Sequence, residues 1–285
     1  MDLSTIRARA QFLANDQNAR TATAAQLTNL INDALSEWCS RTEEVVQDGY
    51  YTVTNKVFTI DAPADIIKIR KAAYLKGGYT PLEVVGDHEF EDHGGDVLDY
   101  SSGQARILKL EGKNADYNYR LFPAPSASSG ATTVSDAGGI SSSDTTIGVA
   151  ALTNLRQPAG VVLIESEKVL YHSVNTSTPS LTDCVRGYGG TTAASHADAV
   201  ALTQCDLFVQ YVRYAATLSA DGDIPEIASN YHKYLAYHAA ATMLESDGRD
   251  PARLVQKWEQ VIRLASNQIR RRWSGSPVQQ IRTMY

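Results

Sequence analysis

Cysteine is scarce in this chain: Cys39, Cys184 and Cys205 form an odd set, far apart in sequence, with no CxxC pair. That pattern excludes a disulfide framework and a zinc site of paired ligands, and leaves buried free thiols of a reducing cytoplasm as the expectation. Long apolar runs are missing too. The densest, Val161 to Ile164, is far too short to cross a bilayer. Met1-Asp2-Leu3-Ser4 offers neither the basic nor the apolar stretch of a secretion signal, so the sequon Asn175-Thr176-Ser177 carries no consequence. Positive charge is in the minority, and the net charge of −6 argues against a general nucleic-acid binder. Phenylalanine is short as well, five residues against fifteen tyrosines. A tyrosine pairs a large apolar ring with a polar tip, which suits interfaces, and equally core edges and strand faces.

Signatures of catalysis are also absent. There is no nucleophile elbow, Walker A loop, HExxH or dinucleotide fingerprint. No catalytic, cofactor or metal residue is therefore assigned, and the chain reads as a non-enzyme. Arg186-Gly187-Tyr188-Gly189-Gly190-Thr191-Thr192 has the look of a phosphate cradle but lacks the Lys and the spacing, so a glycine-permitted turn is expected. Asp87 to Asp96 gathers His88, Glu89, Glu91, Asp92 and His93, yet without the i, i+4 or i, i+2 His pairs of a metal site; a solvated acidic loop is expected. His232 and His238 stand six residues apart, on different faces of a tyrosine-rich helix, with packing or hydrogen bonding as their default role.

What is present begins with helices. Leu3, Ile6, Ala10 and Leu13 recur at three- and four-residue steps. Thr23 with Gln26 is a capping-box pattern ahead of the stripe Leu27, Leu30, Ile31, Ala34, Leu35 and Trp38. From Gly49 the pattern turns to β. Tyr51 and Val53, then Val57, Phe58 and Ile60, predict a hairpin around Asn55-Lys56. Further strands are predicted at Ile66 to Leu75, Ile107 to Leu110 and Tyr117 to Leu121. At Pro123-Ala124-Pro125 the composition shifts to Ser, Thr, Gly and Ala, with short β-like runs at Thr145–Val149, Val161–Ile164 and Val169–Val174. Leu207 to Val212 resumes the earlier strand character. The economical organisation is a discontinuous body, 1–125 with 206–273, an inserted β domain at 126–205, and an extended tail at 274–285.

Two helices close the chain. One is predicted from near Pro225 to Gly248; the other starts at Asp250-Pro251, with Asp as N-cap and Pro at the first helical position. Leu254, Trp258, Ile262, Ala265, Ile269 and Trp273 form its stripe. The expected fold class is α+β: a helical body with an N-terminal helix pair and two C-terminal helices, a small antiparallel sheet, and the inserted all-β domain.

Charge is divided unevenly. Residues 249–285 hold eight basic and two acidic side chains, +6, so residues 1–248 carry −12; residues 43–100 hold twelve acidic and five basic, −7. Arg270, Arg271 and Arg272 at a helix C-terminus complement the helix dipole. Three together, followed by Trp273, exceed what a dipole needs. A docking surface for an acidic partner is therefore expected from Trp258, Arg270, Arg271, Arg272, Trp273, Arg282 and Tyr285. DNA binding through the three arginines is a competing reading, which requires steeply salt-dependent affinity.

In the order of its pieces the sequence resembles the head-to-tail adaptor (connector, head-completion) proteins of tailed bacteriophages. The carrying residues are Ile31-Asn32-Asp33-Ala34 in the second helix, Leu121-Phe122-Pro123-Ala124-Pro125, Asp223-Ile224-Pro225-Glu226-Ile227, and Tyr231-His232 ahead of an alanine-rich helix and a basic final helix. The insert resembles a small β-module of phage structural proteins through Ile164-Glu165-Ser166-Glu167-Lys168-Val169-Leu170-Tyr171, Val185-Arg186-Gly187, Gly190-Thr191 and His196. An insert of this size departs from the smaller adaptors. The resemblance implies a ring, typically dodecameric, in the virion neck, assembled in the host cytoplasm. Its partners would be the portal protein and the tail or neck proteins below, with genomic DNA passing through without sequence-specific binding and no membrane involved. Another tail or fibre-attachment virion protein, using the insert to bind, is the alternative.

Overall fold

The computed structural model describes residues 1–16, 22–86, 102–113 and 116–274, the side chains of 272–274 excepted. The acidic run from Asp87 to Asp96 and the tail after Ser274 lie outside the described residues. The chain forms two compact units, Met1–Val46 with Val212–Tyr285, and Gln47–Tyr211.

The first unit is a bundle of four described helices: α1 (Leu3–Ala14), α2 (Ala24–Thr42), α3 (His232–Ser246) and α4 (Ala252–Ser274). The starts of α1 and α2 are fixed by side-chain caps. Asp2 accepts from the Thr5 amide at 2.8 Å, and its carboxyl is held down to about 2 by hydrogen bonds from Thr5 and Ser4. The capping box at α2 is complete: Thr23 accepts from the Gln26 amide while Gln26 accepts from the Thr23 amide. Helix α3 touches the other three. It buries Leu235, Ala236, Ala239, Ala240, Ala241 and Met243, and so is not amphipathic. It also starts later than Pro225. Residues 225–231 are turns, held by Glu44 and Glu226, whose carboxylates accept from the amides of Ala228 and Ala216.

The second unit is built on strands: β1 (Val46–Tyr51), β2 (Thr59–Asp61), β3 (Ile66–Tyr74), β4 (Thr80–Val85), β5 (Ser102–Gly103), β6 (Ile107–Lys113), β7 (Asp116–Phe122), β8 (Ala124–Pro125) and β16 (Leu207–Arg213). Seven of them form one sheet in the order β1-β16-β3-β4-β6-β7-β2, with β4 and β6 parallel; β5 and β8 pair separately. Between β8 and β16 lie β9 (Ala131–Thr133), β10 (Ile147–Gly148), β11 (Gly160–Ile164), β12 (Glu167–Tyr171), β13 (Ser173–Asn175), β14 (Ser180–Thr182) and β15 (Ala201–Gln204). These make a four-stranded sheet, β12-β11-β15-β9, and a three-stranded one, β10-β14-β13. A core of their own, including Val134, Ile147, Val162, Ile164, Val169, Tyr171, Leu181 and Leu202, joins the two.

The expectation of a helical body with a small antiparallel sheet is therefore corrected. The seven-stranded mixed sheet is the largest element, strand residues are at least as numerous as helical ones, and the described helices number four. Periodicity reveals strands but not their partners, and here the partners are remote. The strands on either side of Asn55-Lys56 do not pair: the chain turns there, but β1 goes to one edge of the sheet and β2 to the other. Strand β4 escaped notice because Pro81 stands within it, opposite Ala73. Of the tyrosines, Tyr74, Tyr119, Tyr171 and Tyr211 are buried, whereas most of the other described ones are half-buried, with their rings packed at the edges of the core. Cys39, Cys184 and Cys205 are buried free thiols; burial pushes the first up to about 11 and the other two to about 12.

Candidate functional site

Helix α4 carries the residues expected to dock. Asp250 accepts from the Ala252 amide at 2.9 Å, and Pro251 offers its carbonyl to Val255, so Asp-Pro starts the helix as its chemistry predicts. Trp258, Val261, Ile262, Ala265 and Ile269 are buried in the bundle. Trp258, 2 % exposed, lies 5.7 Å from Trp38 and 5.2 Å from His238, ring to ring. It thus sits beneath the surface and fixes α4 from below. Arg270 and Arg271 are exposed on the opposite side. Arg272 and Trp273 fall in the last turn, their side chains outside the described residues, as are Arg282 and Tyr285 altogether.

Beside Arg270 the structure adds residues that sequence reasoning missed. A groove of ≈ 640 Å³ runs along α4, lined by Gln256, Gln260, Arg263, Asn267 and Arg270, with Arg41 of α2 at its wall. Arg41 clamps Glu259 through two hydrogen bonds of 2.7 and 2.6 Å and holds Glu37 at 2.7 Å. The hydrogen bond to Glu259 raises the Arg41 guanidinium above its usual range and, in return, lowers the Glu259 carboxyl. Ser266 donates to the Arg41 carbonyl at 3.1 Å. This arrangement consumes the one acidic side chain lining the groove. Arg263 also acts on Glu259 through its charge, but the hydrogen bonds of that carboxylate go to Arg41. The steps 256, 260, 263, 267, 270 were visible in the sequence as a polar seam; that α2 makes it a groove was not.

In the other unit, the residues that suggested a phage β-module converge on one carboxylate. Glu167, 1 % exposed, accepts two hydrogen bonds from Arg186 at 2.8 Å, one from the Gly187 amide at 2.9 Å and one from the Ala194 amide at 3.1 Å. His196 places Nε2 at 2.8 Å from Glu167 and Nδ1 at 2.8 Å from Glu165. Burial pushes the Glu167 carboxyl up, but hydrogen bonds from Arg186, His196 and the two amides more than reverse this and hold it at about 2. The Gly187 amide therefore points at a carboxylate of the protein, leaving no phosphate cradle. The loop behind it is a 3₁₀ turn, with Gly187 and Gly189 both at φ 64°. Tyr188 in that turn packs on Tyr50 of β1 at 5.6 Å, and Gln47 donates to the Gly189 carbonyl at 3.3 Å.

These features describe a protein of contacts: a basic helix with a polar groove, and a β region whose buried charges satisfy one another. The chain matches the model of the SU10 adaptor protein family over residues 1–281 and belongs to that family. It is thus an adaptor-type structural protein of a phage, a component of the virion. No curated protein matches it. No helix among the described residues is long and apolar enough to cross a membrane.

Proposed function

We propose that the protein forms a dodecameric homo-oligomeric ring in the virion neck. There it binds the portal, extends the DNA channel and provides the platform for tail attachment. The observation that carries this reading is the family match over nearly the whole chain together with the exposed basic face of α4. Its body is residues 1–125 with 206–273, its accessory β domain 126–205, and its tail 274–285. Docking on the portal runs through Arg270, Arg271, Arg272, Trp273, Arg282 and Tyr285, with Trp258 holding the helix beneath them. The acidic stretch 43–100, at −7, suits a wall past which DNA slides, because gripping phosphates requires Lys and Arg.

Electron microscopy of the protein mixed with the portal of the same phage tests this: a ring coaxial with the portal is expected, and a protein that stays monomeric and apart from the portal sinks the reading. The separate core of the β region favours a second one, a tail or fibre-attachment protein that binds through it. Loss of fibre or glycan binding on deletion of 126–205, with no portal binding by the intact chain, is the result that selects it.

A further inference from the structure

The geometry points to a specific occupant for the α4 groove: a helix of a partner protein that presents carboxylates seven residues apart. This rests on the docking reading above and gives its partner surface a chemistry.

Three observations carry it. Gln256, Gln260, Arg263, Asn267 and Arg270 follow one another at steps of four and three, the spacing of a seam along which a second helix runs. Apart from Ile262 the lining is polar, so its occupant is polar too: carboxamides that donate and accept hydrogen bonds stand beside guanidiniums that only donate. Arg263 and Arg270 stand two helical turns apart, about 10.5 Å at 1.5 Å per residue; the acidic neighbour of Arg263, Glu259, is already clamped by Arg41, so the groove holds more positive than negative charge. Carboxylates at i and i+7 of a facing helix have that same separation.

A nucleic-acid occupant fits less well. Glu259 stands at the groove wall, and although Arg41 clamps it, its side chain remains half exposed. A phosphate chain would also approach a molecule whose residues 1–248 carry −12. Clamping by Arg41 and the bond from Ser266 keep α2 and α4 in register, so the groove exists before its occupant arrives.

The test uses the full chain, its Arg263→Gln/Arg270→Gln variant, and a labelled helical peptide of about 21 residues carrying glutamates at seven-residue spacing. Both substitutions fall on exposed helix positions, and circular dichroism checks that the fold is kept. At low salt, fluorescence anisotropy is expected to show the native chain binding this peptide and not its glutamate-to-glutamine counterpart, with affinity lowered about tenfold or more in the variant. Equal binding by native and variant chains, or none by the native chain, overturns the proposal. So does salt-steep binding of a DNA duplex that the double substitution abolishes while peptide binding is unaffected. Portal retention separates this failure from that of the functional reading. A portal held equally by native and variant chains removes the groove proposal and leaves the adaptor; peptide binding that needs both arginines, with no portal retention by the native chain, does the reverse.

Discussion

At Glu167 a full negative charge is buried and satisfied by five hydrogen bonds from four residues of the β region. Arg186→Ala strands that charge, so a loss of about 3–5 kcal/mol in the stability of this unit is expected by urea unfolding. A pH titration tells the carboxylate's part more directly. Its folded pKa, about 2, lies below the ordinary 4.5, so its contribution is complete above about pH 4.5 and disappears as pH falls through 2. Thermal melts of the native chain should lose stability across that window, and Glu167→Gln should flatten the loss. Trp258 makes the converse point. Its Nε1 and the His238 Nδ1 have no hydrogen-bond partner among the described atoms. Trp258→Phe, which removes the unsatisfied donor and keeps an aromatic ring, should change stability by less than about 1.5 kcal/mol. Trp258→Ala should cost about 3–5 kcal/mol. A large loss in the phenylalanine variant would show that the indole nitrogen has a partner after all.

Elements differ in how much of them the sequence discloses. The caps of α1, α2 and α4 use side chains within a few residues of the helix start, so Thr23 with Gln26 and Asp250-Pro251 could be recognised directly. Thr23→Ala should cost about 1 kcal/mol in chemical denaturation, with Gln26→Ala costing less because the Thr23 hydroxyl still caps. The hairpin of β11 and β12, joined through Glu165 and Ser166, was legible for the same reason of proximity. The seven-stranded sheet was not. Strand β16 lies between β1 and β3, and nothing in Leu207 to Arg213 announces neighbours more than a hundred residues upstream. The α4 groove was half legible: its polar steps are in one helix, but its wall is Arg41, from another. Glu167, Arg186 and His196 were marked by family resemblance alone, since sequence spacing gives no sign that they meet.

For the molecule as a whole, spectroscopy has a useful asymmetry. All three tryptophans, Trp38, Trp258 and Trp273, belong to the helical unit, whereas Tyr51, Tyr119, Tyr171 and Tyr211 belong to the β unit. Tryptophan fluorescence therefore reports the helical unit alone under acid, and a far-ultraviolet circular dichroism transition that precedes it between about pH 4.5 and 2 would place the first loss in the β unit. Coincident transitions would mean that the two units unfold as one.

The helical unit is also discontinuous, and that has a cost in time. Helices α1 and α2 are made first, but their apolar faces are covered by α3 and α4, which begin at His232. At about 5–20 residues per second, the ribosome needs roughly 10–40 s to make the chain between Thr42 and His232. Throughout that interval Leu27, Ile31, Leu35 and Trp38 have only α1 beside them and lack the two helices that complete the bundle.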